Sequence, residues 1–155
     1  MSFMQVSRKV DYALRAVIHL AGYEHRERSC TVAEISERER IPRRFLEKIV
    51  RDLFRTGLVK SRRGPHGGYV LARPAEEVTF RNVIEAVEGP ISLNVCVGEH
   101  AECFLMGTCG MNRVWAEGQR RVMDLFQNTT IASVRHSKSA LPGHVVPEYP
   151  TPERV

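Results

Sequence analysis

The chain has no apolar run approaching the ~18–20 residues needed to cross a bilayer, which sets a membrane-spanning reading aside. Its opening stretch, Met1 to Val10, is too polar for a secretory signal. There is no Gly-rich nucleotide-binding loop, no Ser or Cys nucleophile motif and no carboxylate pair in a recognisable setting. These absences count against an enzyme. His19 and His66, the remaining general-base candidates, are expected on a helix surface and at a loop tip. No internal repeat is evident. Cysteine is also scarce: Cys30, Cys96, Cys103 and Cys109 are the only four, and without a secretory signal a disulfide framework is not expected. The reading left is a cytoplasmic protein whose 155 residues suffice for one compact domain, or for a small domain with an appended arm.

The charge that is present is unevenly divided. Residues 1–73 hold sixteen Lys and Arg against eight Asp and Glu, whereas residues 74–155 hold seven against ten. A basic first half beside an acidic remainder directs a polyanion to the first half.

Apolar periodicity predicts a helix from Ser7 to Tyr23, with Val10, Ala13, Leu14, Val17, Ile18 and Ala21 on one face. The charged loop Glu24–Ser29 ends it. Thr31-Val32-Ala33-Glu34 has the form of a capping box and opens a short helix to about Glu39. Pro42 suits the first turn of a third helix, which is expected to bury Phe45, Leu46, Ile49, Val50, Leu53 and Phe54 and to stop at Gly57. Leu58–Ser61 and Tyr69–Ala72 are β-prone runs around a basic, turn-rich tip, Arg62 to Gly68, and so form a hairpin. Thr79 starts another helix that Gly89-Pro90 stops. A cysteine-containing loop follows, Ile91–Gly110. From Met111 the set Met111, Val114, Trp115, Val122, Leu125 and Phe126 fits a helix with no core of its own, and a partner subunit is the economical cover for that stripe. After Ser137 the tail holds four of the eight prolines and is expected to be disordered. The division expected is residues 1–75 for a DNA-binding domain, 76–135 for a linker helix, cysteine loop and dimerisation helix, and 136–155 for the tail.

A capped short helix, a tight turn, a second helix and a hairpin give a mainly α winged helix-turn-helix. Such a helix fits the major groove of double-stranded DNA, where Arg and Lys grip guanine edges and Glu accepts from a cytosine amine. Once its apolar face is assigned, Arg43, Arg44, Glu47, Lys48, Arg51 and Arg55 remain on the third helix. The first four are placed to meet bases and the last two to meet phosphates. Arg62, Arg63 and His66 sit at the hairpin tip, where an arginine can enter a narrow minor groove.

Cys96, Cys103 and Cys109 fall within fourteen residues of a loop that also holds Gly98, Gly107 and Gly110. Thiolates bind soft metals and iron–sulfur clusters. Zinc competes, but its sites favour closer cysteine pairs, so the wide spacing points to a two-iron or four-iron cluster. His100 is expected to be exposed in this loop, and Cys30 to be structural or incidental. Asp11 reads on its own as a first-turn acid favoured by the helix dipole.

Phe45-Leu46-Glu47-Lys48-Ile49 and the segment Gly57 to Leu71 resemble the signature of the Rrf-type winged-helix transcription regulators, and Val83 to Pro90 resembles the same family's next helix. The similarity spans about Val6 to Ile131. It implies a homodimer on a pseudo-palindromic operator, with Arg44, Glu47 and Lys48 reading bases and Arg63 in the minor groove. It also implies a cluster on the three loop cysteines. IscR-like members add a His three residues after the last cysteine, where this chain has Asn112. NsrR-like members supply a carboxylate from the opposite subunit at the position of Asp11, so the site resembles theirs more closely. The function implied is a DNA-binding regulator, a repressor, that senses nitric oxide, redox state or iron. The alternatives are a member that senses a small molecule without a cluster, and an interaction dimer that does not bind DNA.

Overall fold

The computed structural model describes residues 6–24, 28–99 and 101–135. The tail 136–155, His100 and residues 25–27 of the charged loop lie outside the described residues.

Helix α1, Arg8–Ala21, is the centre of the molecule. The Ser7 hydroxyl accepts from the Val10 N–H at 3.2 Å and so satisfies one of the unpaired donors at the helix start. Its buried face alternates small and branched residues, Val10, Ala13, Ala16, Val17, Leu20 and Ala21. The alanines let other elements approach closely, and helices α3, α4 and α6 and strand β2, bounded below, all pack on α1.

Helix α2, Val32–Glu39, begins with the capping box read from the sequence, in which the Glu34 carboxylate accepts from the Thr31 N–H at 2.8 Å. It ends at Arg40, the one described non-glycine residue with positive φ (51°). That left-handed turn lets the Ile41 N–H return to the Ser36 carbonyl at 3.0 Å and drops Ile41 into the core. Pro42 caps helix α3, Arg43–Arg55, which ends in two return bonds: Leu58 N–H to the Leu53 carbonyl (2.9 Å) and Gly57 N–H to the Phe54 carbonyl (3.0 Å). Gly57 holds φ 74° there, a conformation that costs glycine nothing.

Strands β1, Val59–Arg62, and β2, Gly68–Leu71, pair antiparallel with Val59 opposite Leu71 and Arg62 opposite Gly68. Cys30 adds one further rung, exchanging backbone hydrogen bonds with Tyr69 at 3.0 and 2.7 Å. Cys30 is buried.

Helix α4, Phe80–Glu88, starts with a second capping box, Thr79 with Asn82, and packs Val83, Ile84, Ala86 and Val87 into the same core as α1. Helix α5, Met111–Asn128, has no buried residue: Met111, Val114 and Leu125 are exposed, and Trp115, Val122 and Phe126 are half-buried. A short helix absent from the sequence reading, α6, Ile131–Arg135, brings the chain back to α1. Its anchor is the Ile131 N–H bonded to the Val78 carbonyl at 2.8 Å, beside an isolated bridge between Thr79 and Thr130.

Two expectations about α3 need correction. Phe45 is 59% exposed and Phe54 51% exposed, whereas both were expected in the core. The buried ridge, Leu46, Ile49, Val50 and Leu53, is narrower than the run of apolar letters, and the two phenylalanines flank it on opposite sides. His19 is corrected in the opposite sense. It is not on the helix surface: its side chain is 11% exposed, its Nδ1 lies 2.8 Å from Glu39 and its ring stacks on Tyr23.

Candidate DNA interface and cysteine loop

The polar side of α3 carries Arg43, Arg44, Glu47, Lys48, Arg51 and Arg55, and every one is exposed. Helical periodicity places Arg44, Lys48, Arg51 and Arg55 along the line facing away from the buried ridge. Two of the cations are engaged. Arg43 Nε lies 3.0 Å from Glu47, and Arg55 lies 3.2 Å from Asp52, which also takes Lys9 at 2.9 Å. Arg44, Lys48 and Arg51 have no ion-pair partner among the described residues. Exposed pairs of this kind are worth ~0–1 kcal/mol, so the Arg43–Glu47 contact can be exchanged for bases at small cost.

The hairpin presents a second basic point. Residues 62–66, including Arg62, Arg63 and His66, are exposed at its tip. A bond from the Gly67 N–H to the Gly64 carbonyl (2.9 Å) closes the turn, and the Ser29 hydroxyl donates to the His66 carbonyl. The tip is thus fixed to the segment that leads into α2 and presents its arginines from a held backbone.

The cysteine loop lies across the start of α5. Gln119 clamps it from the helix, accepting from the Leu93 N–H at 2.9 Å and donating to the Ile91 carbonyl at 2.7 Å. The Ser92 hydroxyl lies 2.6 Å from the Val97 carbonyl. Asn112 donates through Nδ2 to the Cys96 carbonyl at 3.3 Å, so at this position the chain has a residue that holds the loop backbone. Neither Gln119 nor Asn112 gave a sequence signal for this role, because a clamp depends on pairing across the loop.

Cys96, Cys103 and Cys109 are free, half-buried thiols. Cys109 directly precedes Gly110, the N-cap of α5. The donors suit an iron–sulfur cluster in kind. Within one chain, however, no three His, Cys, Asp or Glu side chains among the described residues converge closely enough to hold a metal ion. Asp11 stands apart on α1, its side chain 59% exposed and 3.6 Å from Arg15.

This fold, a helix-turn-helix followed by a two-stranded hairpin, has known counterparts. Residues 6–137 match the family model Rrf2, described as an iron-dependent transcriptional regulator. The chain belongs to the Rrf2 family. Among curated members, the HTH-type transcriptional regulator IscR of Erwinia tasmaniensis is 32% identical over 138 residues, which cover 89% of this chain and 82% of that protein. CymR, the global cysteine regulator of B. subtilis, superposes with a TM-score of 0.73 at 26% identity over 88% of this chain and 100% of that one. IscR of T. potens gives 0.71 at 25% identity, covering 89% and 93%. As an Rrf2 member the chain is a DNA-binding winged-helix transcription regulator and not an enzyme. Among its described residues, no helix is long and apolar enough to cross a membrane.

Proposed function

We propose that this Rrf2 protein represses transcription as a homodimer on a pseudo-palindromic operator, and that the cysteine loop adjusts its affinity for that operator. Arg43, Arg44, Glu47 and Lys48 meet base edges in the major groove, Arg63 enters the minor groove, and Arg51, Arg55, Arg62 and His66 hold phosphates and set register. The observation that carries the DNA reading is the unbroken exposed basic face of α3 beside the exposed basic hairpin tip. The exposed stripe of α5 supports the dimer, since Met111, Val114 and Leu125 find no cover among the described residues.

Cys96, Cys103 and Cys109 would hold an iron–sulfur cluster, with Asp11 as fourth ligand across the dimer. When bound, such a cluster supplies a centre that reacts with nitric oxide or oxidants and reports iron supply. The chain's own part is structural: the loop closes, Asp11 exchanges Arg15 for its new partner, and the spacing of the two winged helices becomes fixed. Only a difference in DNA affinity between the two loop states makes this a switch. Absorbance of the anaerobically reconstituted protein tests the ligand set. Cys96→Ala, Cys103→Ala and Cys109→Ala should each abolish the visible band, Asp11→Ala should weaken or shift it, and Cys30→Ala should leave it unchanged. A colourless parent protein would favour the second reading, a family member that senses a small molecule without a cluster.

A further inference from the structure

Phe45 occupies the third position of α3, and its exposure runs against the rest of the helix. Single exposed apolar residues are ordinary, so exposure alone decides nothing. Its neighbours decide more. The ring shares the first two turns of α3 with Arg44, Glu47 and Lys48, and the N-terminal residues of a recognition helix are those that reach base edges. The side chain lines an open groove of about 360 Å³ with Tyr12, Pro42, Ile49, Arg8 and Lys48. One side of Phe45 is therefore backed by protein, and more than half of the residue stays in water beside Lys48.

We infer that Phe45 makes apolar contact with a thymine C5-methyl group in each half-site and so adds to operator specificity. Thymine is the only unmodified base that offers a methyl group in the major groove, and an aromatic side chain is a suitable partner for it. The inference rests on the DNA-binding reading above and adds an apolar element to a face otherwise built from charge. Phe54 is the internal control. It is nearly as exposed, but it lies nine residues further on, roughly 13 Å along the axis and on the opposite flank, at the end of the helix that leaves the groove.

The experiment selects an operator for the full-length protein from a random duplex library. Each thymine of a half-site is then replaced in turn by deoxyuridine, which removes only the methyl group. Affinities are measured for the parent, Phe45→Ala and Phe54→Ala, with circular dichroism confirming that each variant is folded. The expected result is one thymine per half-site whose replacement weakens the parent about fourfold, the worth of one buried methyl. The same replacement should leave Phe45→Ala unaffected and weaken Phe54→Ala as it does the parent. The inference is overturned if no replacement is costly, or if a costly one is equally so for Phe45→Ala. Failure to select any operator would instead overturn the DNA-binding reading itself.

Discussion

Gly68 lies so close to the backbone of Cys30 that a Cβ placed on it would sit 2.6 Å from the Cys30 carbonyl carbon and 3.0 Å from the Thr31 nitrogen. Both obstacles are main chain, on the rung that ties the hairpin to the start of α2, so neither can turn aside. Gly68→Ala should therefore pull the wing off its anchor and destabilise the protein by ~1–3 kcal/mol, the usual cost of forcing extra volume into a packed site. Gly110→Ala, which meets nothing within 4 Å and has φ −61°, should be nearly neutral. Urea unfolding of the two variants checks the contrast, and equal midpoints would mean that the close approach is not a constraint.

The second prediction separates reading from gripping. Arg44→Ala or Arg63→Ala should cost ~1–3 kcal/mol at the chosen operator and relax base preference. Arg55→Ala should weaken all sequences alike and less strongly, because Arg55 must first give up Asp52, 3.2 Å away. Operator selection with each variant makes the comparison. Unchanged preference for both Arg44→Ala and Arg63→Ala would remove the assignment of base contacts.

A third prediction concerns the exposed stripe of α5. Val114→Glu or Leu125→Glu places a charge where the partner helix is expected and should yield a folded monomer in sedimentation, with operator protection reduced to a half-site. In the parent, a dimer gripping ~6–10 phosphates should lose about 10³–10⁵ in affinity between ~50 and ~200 mM salt. A flat salt response would count against the electrostatic grip, and an unchanged dimer would move the interface off α5.

The fourth follows from Glu117, which hydrogen bonds to Arg120 and Arg121 hold down to about pH 2, well below the ordinary carboxylate value. A lowered folded value means that its contribution is present above the ordinary value near 4.5 and is lost as pH falls toward 2. Helix content of the parent should carry that acid-side component, and Glu117→Gln should lack it. A carboxyl titration of Glu117 by NMR with a midpoint near 4.5 would contradict the arrangement.

Much of this architecture is legible along the chain because its signals are local. Ser7, Thr31, Thr79 and Gly57 mark helix ends through bonds that span three to five residues, and the hairpin tip announces itself by Gly64, Pro65 and Gly67. What stayed hidden is non-local. Helix α6 is only five residues long and is held by Val78, some fifty residues earlier, so no period could show it. Phe45 and Phe54 are apolar like the core residues beside them, and only the width of the buried ridge tells them apart. For the candidate site, the basic face and the three thiols could be read directly. The clamps from Gln119 and Asn112 could not, since each pairs a side chain with a backbone carbonyl across the loop.

The most direct test is operator affinity of the anaerobically reconstituted protein before and after exposure to nitric oxide or oxygen, measured alongside the variant lacking Cys96, Cys103 and Cys109. The account predicts tight, sequence-specific binding by the parent that weakens by at least tenfold on exposure, and no response from the variant. A variant that binds and responds as the parent does would contradict sensing through the cysteine loop and leave a DNA-binding regulator governed elsewhere.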